Sequence, residues 1–218
     1  MSAFPNSPRL IKGGIVLIDP DTSAVLRIIT LQYNPDTLTR TLQVQASTAE
    51  GDRSDPLRLK GPPIETIKLD AELDASDQLE FPEQNKNAVQ VGIQPQLAAL
   101  ETIIYPTSDQ LIANNSRAKS GTLEIAAMET PLALLIWSRN RVLPVRITDM
   151  SITEEAFDTS LNPIRAKVSI GLRVLNVTDV GFEHKAGSIY MAYQQQKERL
   201  AAMSKPGSLS ALGIESIP

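Results

Sequence analysis

The stretch Ile164-Arg165-Ala166-Lys167-Val168-Ser169-Ile170-Gly171-Leu172-Arg173-Val174 decides the fold class. Ile164, Ala166, Val168, Ile170, Leu172 and Val174 alternate with Arg165, Lys167, Ser169, Gly171 and Arg173. Side chains along a strand point to opposite faces in turn, so this segment lays one apolar face on a core and one cationic face in water. One-sided alternation of this kind marks an antiparallel sheet, because parallel sheets are covered on both faces. Residues 67–74 repeat the pattern, with Ile67, Leu69, Ala71 and Leu73 set against Lys68, Asp70, Glu72 and Asp74.

Toward the N-terminus, residues 14–19 (GIVLID) read as a strand. The turn signal Pro20-Asp21-Thr22-Ser23 leads into a second strand over residues 24–33 (AVLRIITLQY). Asn34-Pro35-Asp36 stops that run, since the residue before a proline is pushed out of helical geometry. Leu38, Leu42 and Val44, spaced by Thr39, Thr41, Gln43 and Gln45, predict a third strand. Residues 47–63 hold Gly51, Asp52, Ser54, Pro56, Gly61, Pro62 and Pro63 and read as a long loop. Loops of that length are often functional.

Residues 95–104 predict an internal helix: Pro95 suits its first turn, and Leu97, Leu100, Ile103 and Ile104 share a face. Beyond it, residues 121–129, 132–137 and 142–147 read as strands, with a turn at 138–141. The apolar phase then slips from Val145 and Ile147 to Met150 and Ile152, which predicts a β-bulge near Asp149. Residues 188–203 form an amphipathic helix, and the remainder is a loose tail. Strands in runs, not alternating with helices, give a mainly β protein with minor α content. The expected form is a small antiparallel two-sheet barrel or sandwich of about seven or eight strands, with one flanking helix and a C-terminal helix. Residues 1–180 make the barrel domain, and 181–218 the helix and flexible tail.

Composition removes most chemistry. The 218 residues include no Cys and one His, so thiol nucleophiles, disulfides and two-His metal sites are out. The 21 basic and 25 acidic residues give a net charge of −4 without a basic face, which argues against nucleic acid as a partner. Aromatic residues make up 4%, too few for stacking platforms. The longest strongly apolar run, residues 132–137, falls far short of the roughly 20 residues of a membrane helix. The C-terminal helix has too few cations on its polar face to favour anionic lipid. No basic-then-apolar leader opens the sequence, which predicts synthesis and folding in the cytoplasm.

Two features resemble sites. His184 has no nucleophile or orienting acid near it in sequence and reads as a solvated loop histidine. The series Asp70, Glu72, Asp74, Asp77, Glu80 would suit a hard cation. It misses the calcium-loop spacing, with Ala75 where that loop needs Gly and Phe81 where it needs a closing Glu. Asp70, Glu72 and Asp74 therefore read as a solvated acidic strand face, or as the lining of a pore if the protein forms a ring. Two enzyme-like or ligand-binding alternatives remain, a barrel hydrolase using those acids and a barrel with a small-ligand cavity. Neither a dinucleotide fingerprint nor a phosphate loop is present, and no cofactor is expected.

Five segments in order resemble one family: residues 31–38 (LQYNPDTL), 67–77 (IKLDAELDASD), 142–146 (VLPVR), 151–157 (SITEEAF) and 161–168 (LNPIRAKV). Together they are similar to the tube-like domain of contractile injection system proteins, phage-tail-like machines that drive a tube into a target. The nearest likeness is to the baseplate adaptor between the central spike and the inner tube, and it spans about residues 10 to 178. The resemblance implies a tail-tube type barrel, a hexameric ring and a structural, non-enzymatic role. It implies the spike protein, the inner tube protein and other baseplate subunits as partners, and the main inner-tube subunit as the alternative role. Adaptors of this kind often end in a peptidoglycan-type LysM module, whereas only a helix and a tail follow Val177 here. The expected assembly contacts are Gly51, Asp52, Arg53, Pro56 and Leu57 of the long loop with Tyr33, Asn34 and Pro35.

Overall fold

The computed structural model describes residues 10–46, 58–119 and 130–217. Its strands are β1 (Gly14–Ile18), β2 (Val25–Thr30), β3 (Leu38–Gln43), β4 (Ile64–Asp74), β5 (Leu132–Ser138), β6 (Arg141–Phe157) and β7 (Pro163–Val174). Every pairing is antiparallel, and the seven strands form one sheet in the order β2-β1-β5-β6-β7-β4-β3. The fold is mainly β. The 17-residue β6 joins the two antiparallel halves, pairing with β5 near its start and with β7 along the rest. The bulge falls where the apolar phase slips, since the β6–β7 register shifts between Ile147 and Asp149. The strand expected at 121–129 lies outside the described residues.

One core takes side chains from both halves. Ile15 and Leu17 of β1, Leu135 of β5, and Leu143 and Val145 of β6 pack with Ile67 and Leu69 of β4 and with Val168, Ile170 and Leu172 of β7. The alternating faces of 67–74 and 164–174 lie as their spacing predicts, with Lys68, Asp70, Glu72, Arg165, Lys167 and Ser169 exposed.

Where one internal helix was expected, the described residues hold four between β4 and β5: α1 (Ser76–Leu79), α2 (Lys86–Val91), α3 (Gln94–Glu101) and α4 (Ser108–Lys119). α3 is the expected one, with Leu97, Leu100 and the following Ile103 in the core. The other three escape periodicity for physical reasons. α1 and α2 are too short to show a stripe, and α4 buries no residue at all. Two further helices follow β7, α5 (Val177–Val180) and α6 (Lys185–Ala202).

Gly92 fastens α2 and α3 to the β6–β7 hairpin. Its φ is +58°, and a Cβ there would sit 2.1 Å from the Pro163 carbonyl oxygen. The same carbonyl accepts a hydrogen bond from Ile93 N–H at 2.9 Å, so the two backbones cannot part to make room. Gly92→Ala is expected to cost about 2 kcal/mol or more, from a strained backbone plus the clash. Urea unfolding checks it, and a midpoint equal to wild type would count against this account.

Candidate assembly surfaces

Asp70, Glu72 and Asp74 project from one face of β4, and the register sets Ser169, Lys167 and Arg165 of β7 directly opposite them. The face is therefore a charge ladder. Arg165 Nε lies 2.8 Å from Asp74 Oδ2, and Lys167 Nζ lies 3.0 Å from Glu155 Oε1. Burial pushes the Asp74 carboxyl up, but the Ser76 hydroxyl and amide and the Arg165 guanidinium outweigh it and hold the group below the usual range. Among the described residues no group of three or more His, Asp or Glu side chains is placed to hold a metal ion. No helix among them is long and apolar enough to cross a membrane.

The loop Tyr33-Asn34-Pro35 comes to this same face. With Asp70, Glu72 and Lys167 it lines a cleft of about 700 Å³. The loop is anchored at both ends. Asn34 Oδ1 accepts from Gly13 N–H at 2.9 Å, while its Nδ2 donates to Ile11 O at 2.9 Å. The Gln32 amide bridges the Asp74 backbone, accepting from its N–H at 3.0 Å and donating to its carbonyl at 2.6 Å. Thus two of the expected surfaces, the 33–35 turn and the acidic strand face, form one. Gly51, Asp52, Arg53, Pro56 and Leu57 lie outside the described residues. The stem of their loop is closed by a bridge between Ala46 and Leu59.

The opposite half of the sheet is covered on both sides. Ile15 and Leu17 of β1 face the main core, while Ile18, Leu132 and Leu134 form a second apolar cluster beneath Ala186 and Ile189 of α6. The continuous apolar spelling of residues 132–136 (LALLI) is the signal of that two-sided burial. His184 is exposed, as expected, and it also caps α6: its Nδ1 accepts from Ala186 N–H at 3.1 Å. Asn176 caps α5 through a capping box with Asp179, and Asp179 also pairs with Arg173 at 2.7 Å.

Sequence reasoning missed the polar cluster that seats α6. Glu65 is 3% exposed and lies on the core side of β4, in phase with Ile67 and Leu69. Arg40 of β3 reaches its Oε1 with Nη2 at 2.6 Å, and the same Nη2 donates to the Tyr193 hydroxyl at 3.0 Å. Lys197 Nζ sits 4.5 Å from the centre of the Tyr193 ring. Burial lowers the Lys197 pKa and raises that of the Tyr193 hydroxyl, which Glu65 raises further. A signal existed, because Glu65 and Arg40 each stand where the strand alternation calls for an apolar residue.

Among the described residues neither edge strand, β2 or β3, pairs with a strand on its outer side. β2 exposes Val25 (59%), Leu26 (56%) and Ile28 (66%), and at the other edge Leu42 of β3 and Val44 just after it are exposed as well. Unpaired backbone beside exposed β-branched side chains is a template for another strand.

The family model for contractile injection system tube proteins matches residues 16–176. A comparison with curated proteins finds no match. Among solved structures, the chain is similar to a protein in the tail of an empty gene transfer agent particle refined with C6 symmetry. That likeness has a TM-score of 0.30 and 11% identity, covering 75% of this chain and 90% of the other. A second, in the virion of a native gene transfer agent particle, has a TM-score of 0.28 and 9% identity over 74% of this chain and 90% of the other.

Proposed function

Because the chain belongs to the contractile injection system tube protein family, we propose that it is the ring-forming adaptor of the baseplate hub. Six copies would join a threefold spike to a sixfold inner tube and start tube assembly. The partners are further copies of itself, the spike protein, the inner tube protein and other baseplate subunits. The role is structural, needs no cofactor, and places the protein in an injection particle assembled in the cytoplasm.

The observation that carries the ring is the pair of open edges. An apolar edge such as β2 is a liability in a monomer, and pairing it with the β3 edge of the next copy removes both edges at once. A contact between two different surfaces closes into a ring when its rotation divides the circle. Tyr33, Asn34 and Pro35, with Gly51, Asp52, Arg53, Pro56 and Leu57, are the proposed contacts to an adjacent ring. Asp70, Glu72 and Asp74 would face the lumen. The adaptor is preferred over the main inner-tube subunit because α6 and the segment after it lie beyond the family-matched residues and would obstruct uniform stacking.

Electron microscopy of the purified protein tests the role. Single sixfold rings fit the adaptor, whereas long tubes from this chain alone would assign the main tube subunit. Ile28→Lys tests the edge. Ile28 is 66% exposed, so the fold should be unchanged while rings give way to monomers in light scattering. Rings of unaltered mass would sink the edge contact.

A further inference from the structure

The β6–β7 hairpin ends in a locked tip that presents an apolar side chain. Asp158 Oδ1 accepts from the N–H groups of Ser160 at 2.7 Å and Asn162 at 2.8 Å, and its Oδ2 accepts from Asn162 Nδ2 at 2.8 Å. Asn162 Nδ2 also donates to Gln90 O at 3.1 Å, which ties the tip to α2. Within this frame Leu161 has φ +63° and is 78% exposed. Both facts are unfavourable for a branched apolar residue, since glycine or asparagine fits that backbone better and water solvates neither the strain nor the side chain. The hydrogen bonds of the turn hold the strained backbone, but they leave the Leu161 side chain uncovered among the described residues.

At the far end of β5 lies a pocket of about 740 Å³ lined by Ile103, Leu132, Ala133, Val145, Ile147 and Leu175. Asp21, Arg146 and His184 stand in its wall, and among the described residues no ion pair joins Arg146 to a carboxylate. On the hairpin Glu155 is paired with Lys167 and Asp158 is held within the turn, which leaves Glu154 as the acid it can turn toward Arg146. The tip cannot reach its own pocket. Ile147 and Phe157 are ten residues apart on the same strand, roughly 33 Å at the usual rise. Pocket and hairpin lie at opposite ends of β6, the pocket where that strand runs beside β5 and the hairpin where it runs beside β7.

We infer that Leu161 of one copy plugs the pocket that β5, β6 and the residues just after α3 form in its neighbour, with Glu154 of the hairpin against Arg146. The contact is head-to-tail, runs in the same sense as the β3-to-β2 edge contact, and rests on the reading that copies of this chain assemble with one another. The locked turn supplies preorganisation, so little freedom is lost when the plug docks.

The sequence has no cysteine, so introduced thiols report cleanly. Leu161→Cys and Ile104→Cys, the latter at a pocket-lining residue, are purified separately, mixed and oxidised. A disulfide-linked dimer of the two variants is the expected product, well above what either gives alone. Absence of that mixed dimer, or equal yields from Leu161→Cys alone, overturns the plug. Leu161→Gly gives an independent readout: it relieves the backbone, so the monomer should melt no lower, while association weakens tenfold or more. Association equal to wild type also overturns the plug. The outcomes separate the two proposals, because mixed dimers without rings leave the plug and remove the hexameric ring, and rings that persist in Leu161→Gly with wild-type affinity do the reverse.

Discussion

Arg40→Ala is expected to destabilise the protein by about 3–5 kcal/mol, the usual cost of stripping one partner from a buried ion pair. The Glu65 carboxylate is 3% exposed, and its bond to Arg40 at 2.6 Å is the ion pair that holds it. Without Arg40 the charge stays in the core, where Lys197 still acts on it but forms no ion pair with it among the described residues. The reverse change should be milder. Glu65→Leu leaves Arg40 uncompensated, but the Arg40 side chain keeps 26% of its surface in solvent and can turn outward. The double variant Arg40→Leu, Glu65→Leu should recover most of the loss, since an apolar pair of similar volume often replaces a buried ion pair at little cost. Denaturant unfolding of the three variants checks the order. If Arg40→Ala is no worse than Glu65→Leu, the buried carboxylate is not what Arg40 supports.

Ending the chain after Val180 is expected to abolish the folded state. The family match stops at residue 176, which by itself would suggest that the remainder is dispensable. The packing says otherwise. α6 places Tyr190 (4% exposed) and Tyr193 (6%) in the main core and covers Ile18, Leu132 and Leu134 on the other face of β1 and β5. Losing one large buried aromatic side chain costs about 3–5 kcal/mol. Two of them come to about 6–10 kcal/mol, and with a newly bared apolar sheet face the loss rivals the roughly 5–15 kcal/mol by which a whole domain is stable. The truncated chain should lack a cooperative melting transition and aggregate through the uncovered face. A soluble protein melting within a few degrees of the full chain would refute this. Ending the chain after Ser204 instead should leave stability almost unchanged, because residues 204–217 are all exposed. That contrast separates the helix from the segment that follows it.

Both predictions turn on Arg40, Glu65 and Tyr193, and these three show how far the sequence could be read. Alternation in 67–74 and 164–174 needs only the pleat and a one-sided core, so both strands, their faces and the bulge at Asp149 were legible. Extending the alternation of β4 back by one step would have put Glu65 in the core. Nothing local, however, could say that its partner stands on β3 or that a tyrosine from α6 closes the cluster. The helices between β4 and β5 were largely illegible, since short or wholly exposed helices carry no stripe. The charge ladder was half legible. The acids were visible on β4, but their neutralisation by Arg165 and Lys167 depends on which strand pairs with it and in what register.

The sequence by itself determined the antiparallel β class, the core face of each long strand, the poverty of reactive groups and the resemblance to tube-type proteins. The first three follow from side-chain period and composition, and the resemblance from five short segments in order, all of them readable along the chain. Tertiary structure alone decided the order of the strands, the union of the 33–35 turn with the acidic face, and the seating of α6 on a buried ion pair. It also decided the isolation of Leu161 from the pocket its own chain carries. Each depends on contacts between residues far apart in sequence, and these are fixed only when the whole core closes at once.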